Sequence, residues 1–115
     1  VWGLSFKPET DDIRESPALI LIDSLIKHGC EVSVYDPVAM NEAKKVLGDS
    51  VRFAKDIYDS VFDVEAIFHV TEWKEFRLPN WEVIKRSMKP NPVLLDGRNV
   101  FDKTMLKGIE YIKIG

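Results

Sequence analysis

The sequence predicts an α/β fold: one domain built on a doubly wound, mostly parallel sheet of Rossmann-like type. Three observations carry that expectation. Strand-like and helix-like segments alternate along the chain, the pattern of βαβ units. A capping residue followed by proline marks two helix starts, Ser16-Pro17 and Asp36-Pro37. The chain has 115 residues, 45% hydrophobic and 30% charged, which suits one domain rather than two.

The elements follow in order. Val1–Phe6 reads as the first strand. Ser16–His28 reads as a helix, capped by Ser16, opened by Pro17 and ended by Gly29. Its early run, Ala18-Leu19-Ile20-Leu21-Ile22, is apolar all round, so burial on more than one side is expected. Glu31–Tyr35 alternates and is β-branched, and so predicts a second strand. Ala39, Met40, Ala43, Val46 and Leu47 follow at helical spacing. Val51–Phe53 is a short third strand, and Ala54, Ile57, Tyr58, Val61 and Phe62 again keep a helical period. Ala66–Val70 is a fourth strand. Asn80–Met88 is a helix capped by Asn80 and stopped by Pro90, with Trp81, Ile84 and Met88 on one face. Val93–Leu95 and Tyr111–Ile114 complete a six-stranded reading.

Crossovers between parallel strands are right-handed, and ligands of such sheets sit beyond the strand carboxyl ends, where the strand order reverses. That rule selects Lys7 to Arg14, Thr71-Glu72-Trp73 and Asp96-Gly97-Arg98. The first of these loops is unusual. A dinucleotide fold would place G-x-G-x-x-G there, but residues 3–18 hold one glycine and the charged Lys7, Glu9, Asp11, Asp12, Arg14 and Glu15. Lys7, just past the first strand, and Arg98, just past the fifth, can face one crevice. A lysine point charge and a planar arginine fork suit a phosphate or diphosphate. The alternative is two solvated cations paired with Asp12 or Asp96. Asp11 and Asp12 could serve a metal or acid–base chemistry, or fold the loop through salt bridges and Asx turns. Arg14 could reach an anionic partner on another domain or lock the loop. Asp36 fits a helix cap better than a ribose ligand, since the glycine signature is missing.

Other residues offer little chemistry. Cys30 follows Gly29 at the amino-end edge of the sheet and reads as structural. His28 beside it reads as a cation at a helix C-terminus, and His69, inside the fourth strand, as a packed core residue. No metal-ligand cluster and no complete catalytic set is visible. The net charge is −3 with no Lys/Arg block, which argues against nucleic acid. The apolar runs are too short to span a bilayer and no signal peptide is visible. A single cysteine fits a reducing, cytoplasmic setting. The chain opens on a valine inside a strand and closes on a glycine after an apolar pattern, so a piece of a longer protein is expected.

Four ordered motifs add to this reading. They are Phe6-Lys7-Pro8-x-Thr10-Asp11-Asp12-x-Arg14-x-Ser16-Pro17, Val34-Tyr35-Asp36-Pro37, Val70-Thr71-Glu72-Trp73-x-Glu75-Phe76 and Asp96-Gly97-Arg98-Asn99-Val100. Together they resemble the C-terminal, UDP-binding domain of the nucleotide-sugar 6-dehydrogenases, the UDP-glucose/GDP-mannose dehydrogenase family, over nearly the whole chain. Thr71-Glu72-Trp73 with Asp96-Gly97-Arg98-Asn99 resembles the UDP-glucose 6-dehydrogenase branch. The resemblance implies a twofold oxidation of UDP-glucose at C6 to UDP-glucuronate, using two NAD+ and a cysteine-bound intermediate. It places NAD mainly on an N-terminal domain outside this chain, and the nucleophile between the domains. Cys30 does not match that nucleophile, so no catalytic residue is expected here. Phe6 and Lys7 would contact the UDP-sugar. Arg98 would contact substrate from the dimer-related side of a homodimer, and Arg14 would reach the NAD. A UDP-N-acetylhexosamine 6-dehydrogenase domain and a non-catalytic nucleotide-binding module are the competing readings.

Overall fold

The structure is a computed structural model that describes residues 1–114. Its elements are α1 (Pro17–Lys27), β1 (Ser33–Val34), α2 (Met40–Leu47), β2 (Arg52–Phe53), α3 (Ile57–Val61), β3 (Ala66–His69), α4 (Trp81–Ser87), β4 (Val93–Asp96) and β5 (Glu110–Lys113). Two 3-10 turns, Lys74–Arg77 and Lys103–Met105, fall where the sequence shows no periodicity.

β1 pairs with β2, and β3, β4 and β5 pair in that order; every pairing is parallel. Trp2 joins the two groups, bridging Tyr35 on one side and His69 on the other. Its amide donates to the Phe68 carbonyl at 2.8 Å, and its own carbonyl accepts from the Val70 amide at 2.9 Å. Read across, the order is β2, β1, the Trp2 strand, β3, β4, β5. The chain reverses its direction of travel between the Trp2 strand and β3. This is the doubly wound arrangement the alternating pattern predicts, and its switch point lies where the sequence reading places the ligand.

The expected first strand, Val1–Phe6, contributes only Trp2 to regular pairing. Gly3 is the reason. It sits at φ 96°, in the left-handed region, and a Cβ there would lie 2.4 Å from the Cβ of Thr71. Only glycine permits both the backbone turn and the close approach. The turn also breaks strand alternation: Trp2 packs into the core cluster containing Ile67, Phe76 and Ile84, whereas Leu4 enters the one with Ala18, Ile22 and Val34. The two clusters cover the two faces of the sheet.

Two helices, α1 and α4, keep their predicted caps. The Ser16 hydroxyl accepts from the Ala18 amide at 3.2 Å, and the Asn80 side chain accepts from Glu82 and Val83. The third helix is shorter than its periodicity suggests. Ala54 remains in the sheet, donating to the Val34 carbonyl at 3.0 Å, and Asp56 caps the helix instead. The expectation that α1 is buried on several sides fails. Ala18 and Ile22 are buried, but Ile20 is 74% exposed, because α1 lies on one face of the sheet and no further layer covers it among the described residues. No helix among the described residues is long and apolar enough to cross a membrane.

Candidate functional site

The loops at the carboxyl edge fold around two buried carboxylates. Asp36 follows β1. Its Oδ2 accepts from the amides of Leu4 at 2.8 Å and Ser5 at 3.3 Å, and from the Trp73 indole N–H at 3.1 Å. Its Oδ1 accepts from Val38 at 2.8 Å and Ala39 at 2.7 Å. The helix-cap reading of Asp36-Pro37 is corrected: α2 starts only at Met40, after Ala39 and without a side-chain cap. Asp36 holds the turn that leads into it, while the same carboxylate ties the first loop to the loop after β3. With both oxygens occupied, it is no ribose ligand. Thr71 adds a second tie, its hydroxyl donating to the Ser5 carbonyl at 2.6 Å.

Asp96 ends β4, directly opposite His69 in the parallel register. Its Oδ1 accepts from His69 Nδ1–H and the Arg98 amide, each at 2.9 Å. Its Oδ2 accepts from the amides of Val100 at 2.9 Å and Phe101 at 3.4 Å, and from the Tyr111 hydroxyl at 2.6 Å. Burial alone would raise the Asp96 pKa. The hydrogen bonds from Tyr111, His69 and the loop amides outweigh it and hold the carboxyl well below the usual range. Burial and the same bond push the Tyr111 hydroxyl up to about 12. Burial pulls His69 below its ordinary value despite the pull of Asp96 the other way. His69 is therefore a neutral imidazole, wedged edge-on against Phe76 and Phe101 with ring centroids 5.7 and 4.8 Å away.

The predicted contact residues sit on this frame. Phe6 is 43% exposed, and Lys7 Nζ lies 5.3 Å from its ring centroid. Lys7 forms no salt bridge among the described residues. Arg98 leaves the Asp96 loop and is paired, but with Glu72 (2.9 Å) rather than with Asp96. Glu72 also meets Arg77 at 3.5 Å. Lys7 and Arg98 thus leave two carboxyl-end loops of one sheet edge.

Arg14 forms a bidentate pair with Asp12: Nε to Oδ1 at 3.0 Å and Nη2 to Oδ2 at 2.8 Å. The side-chain bonds from Arg14, then its amide, then the charges of Arg14 and Lys7, draw the Asp12 carboxyl down to about 2. That rules Asp12 out as a base near neutrality. It folds the loop together with Thr10, whose hydroxyl accepts from the Asp12 amide at 3.1 Å. The exposed Asp11 has no such partner among the described residues. Two residues of this loop, Glu9 and Glu15, hold φ of 66° and 57°, a strained region for a side chain of that type.

Cys30 is exposed, so its thiol is not part of the core, and the turn that carries it is fixed by backbone, its amide donating to the Leu25 carbonyl. It borders a cavity of about 860 Å³ on the amino edge, lined also by Ser33, Ser60 and Ile67. That is the edge away from the strand carboxyl ends, where ligands of such sheets sit. No cluster of three or more metal-type ligands exists among the described residues.

Comparison with known proteins shows the family and the fold. The UDP-glucose/GDP-mannose dehydrogenase family, UDP binding domain, matches residues 1–103. The chain belongs to that family. It is 38% identical to the UDP-glucose 6-dehydrogenase of Pseudomonas aeruginosa, over 100% of this chain and 26% of that protein. It is 38% identical to the UDP-glucose 6-dehydrogenase TuaD of Bacillus subtilis, over 97% of this chain and 24% of that protein. Two solved structures superpose well. A UDP-glucose dehydrogenase from Pyrobaculum islandicum gives a TM-score of 0.76 at 33% identity, covering 99% of this chain and 24% of the other. A UDP-D-ManNAc dehydrogenase from Pyrococcus horikoshii gives 0.78 at 32%, covering 98% and 24%. The chain therefore spans about a quarter of the length of these relatives.

The family's cofactor does not fit the first turn of this domain. A dinucleotide pyrophosphate needs free amides and glycine clearance between strand and helix. Here Asp36 takes the Leu4 and Ser5 amides, and Thr71 fills the space beside Gly3. The sequence reading placed Thr71 and Glu72 in a carboxyl-end loop without naming their partners, and gave His69 and Tyr111 no part in the site. The available signal was register: His69 and Asp96 are the last residues of adjacent parallel strands.

Proposed function

We propose that this domain binds the UDP-sugar in an NAD-dependent UDP-glucose 6-dehydrogenase, which oxidises UDP-glucose to UDP-glucuronate. One observation carries the reading. In a chain of this family, the unpaired Lys7, the exposed Phe6 ring and the Arg98 fork all project from carboxyl-end loops at the switch point. Lys7 meets the diphosphate as a point charge. Phe6 offers an apolar face beside it. Arg98 gives up Glu72 for a substrate oxygen, in the dimer-related site of a homodimer. Arg14, with an 87% exposed side chain held in fixed geometry by Asp12, faces the NAD carried by the N-terminal domain. The chain's own part is to bind and orient; it supplies no nucleophile and no step of the oxidation.

The test is a coupled NADH assay of the full-length protein across a panel of UDP-sugars. Lys7→Ala and Arg98→Ala should each lower kcat/KM for the UDP-sugar roughly ten- to a hundred-fold, the worth of a charge-assisted contact. Arg14→Ala should raise KM for NAD+ more than for the sugar. Full activity in both Lys7→Ala and Arg98→Ala would remove the substrate roles. A UDP-N-acetylhexosamine is the second reading, favoured by the similarity to the Pyrococcus horikoshii enzyme. Preferential turnover of such a sugar in the same panel would select it.

A further inference from the structure

We propose that His69 is a positioning residue for the nucleotide-sugar site: through Asp96 it fixes the loop that presents Arg98. The inference rests on the substrate role given to Arg98 above. Three observations support it.

The first is sharing at one atom. Asp96 Oδ1 accepts from both His69 Nδ1–H and the Arg98 amide. Removing the imidazole leaves the Arg98 amide as the one remaining donor to Oδ1, so that oxygen is held from the loop side alone while Oδ2 keeps its own donors. The second is that His69 grips the loop twice. Its carbonyl accepts from the Gly97 amide at 2.9 Å, while its ring donates to Asp96. The ring also packs on Phe101, which closes the same loop. The third is that packing alone does not account for a histidine. The side chain is fully buried among Phe76 and Phe101, and its Nε2 has no hydrogen-bond partner. An apolar residue would fill that space without stranding a polar atom. What the imidazole adds is the Nδ1–H donor.

Arg98 is thereby held at two points. Asp96 holds its amide, and Glu72 holds its guanidinium. The Glu72 contact can be exchanged for a ligand oxygen, but the Asp96 contact must persist if the fork is to be aimed when the ligand arrives. His69 touches no ligand in this scheme and acts only through Asp96.

The experiment uses the full-length protein and compares wild type with His69→Phe, His69→Leu, His69→Asn and Arg98→Ala. Phe and Leu remove the donor in two shapes. Asn keeps an N–H close to the position of Nδ1. Loss of the donor should raise KM for the UDP-sugar about tenfold, if the bond to a charged partner is fully expressed. KM for NAD+ should stay unchanged, and His69→Asn should recover most of the loss. If neither apolar variant folds, Tyr111→Phe reads the same carboxylate from its other oxygen, with a smaller rise in the same KM. A merely structural histidine would lower Tm without separating the two KM values, and Asn would rescue nothing; either result sinks the proposal. The outcomes also separate the two readings. If Arg98→Ala changes KM and the His69 variants do not, only the positioning role is lost. If Arg98→Ala is silent, the substrate assignment fails first, whatever His69 does.

Discussion

Asp36 and Asp96 stand at similar places in the two halves of the sheet, at the carboxyl end of a strand, each buried, each accepting five hydrogen bonds. Their donors differ in kind. Asp36 is surrounded by four amides and an indole, none of which titrates near neutrality. Asp96 takes three amides together with a histidine and a tyrosine. The first arrangement is a fixed brace. It uses a side-chain carboxylate to fill amides that a dinucleotide fold would leave for a phosphate. The second arrangement carries Arg98 and depends on the protonation state of a neighbour. One carboxylate thus occupies the amides of the first turn, and the other fixes the amide of Arg98.

The comparison breaks most visibly at Asp36. Asp36→Ala in the full-length protein should cost about 3–5 kcal/mol, since buried donors in two loops and a helix start lose their acceptor. Urea unfolding followed by tryptophan fluorescence measures it, with Trp73 losing a direct partner. A loss below about 1 kcal/mol would show that water replaces the carboxylate and that the brace is not one.

Gly3→Ala strikes the same half from the backbone side. The new Cβ would collide with Thr71 and hold a left-handed φ, for about 2–4 kcal/mol in all. A wild-type Tm in that variant would mean that the two loops separate easily.

How much of this was legible in the sequence follows from the range of each signal. Helix caps at Ser16 and Asn80 lie within three residues of their partners and were readable, whereas Asp36 holds a turn that ends before α2 begins. The carboxyl-edge loops were readable because alternation fixes which strand ends meet. The reach of Asp36 to Trp73, and of His69 to Asp96, spans 37 and 27 residues, and no local period encodes it. The pairing of Arg98 with Glu72 rather than Asp96 had the same cause: the nearer carboxylate was already committed to amides. Ile20 misled in the opposite direction, since an apolar run states what a helix can bury and not what covers it in these residues.

The acid response sharpens the contrast. Burial depresses His69 below its ordinary value of 6.5, so the unfolded chain binds the proton first. Its contribution is fully present above that pH and declines as pH falls below it. Asp96, also depressed, adds a second loss as pH falls below its ordinary value of 3.8. Tm of the full-length protein should therefore fall in two stages, and His69→Asn should lack the first. An unchanged profile in that variant would place the early titration elsewhere.

Cys30→Ser gives the smallest effect expected. The thiol is exposed on the opposite edge, so turnover should hold and stability should move by less than about 0.5 kcal/mol. A collapse of kcat would put the reaction on the wrong side of the sheet.

The seam at Trp2 has a consequence for cooperativity. A two-stranded sheet has little stability of its own, and β1 with β2 is such a pair until Trp2 ties it to β3. The indole stacks on Phe76 at 5.1 Å and donates to Ser60 at 2.8 Å, so one residue engages packing groups from both halves. The Lys7 loop, hung from the same short strand, therefore cannot loosen by itself. Melting the weaker half releases the seam, and releasing the seam unfolds the crevice, so the domain should lose its ligand site and its sheet in a single transition.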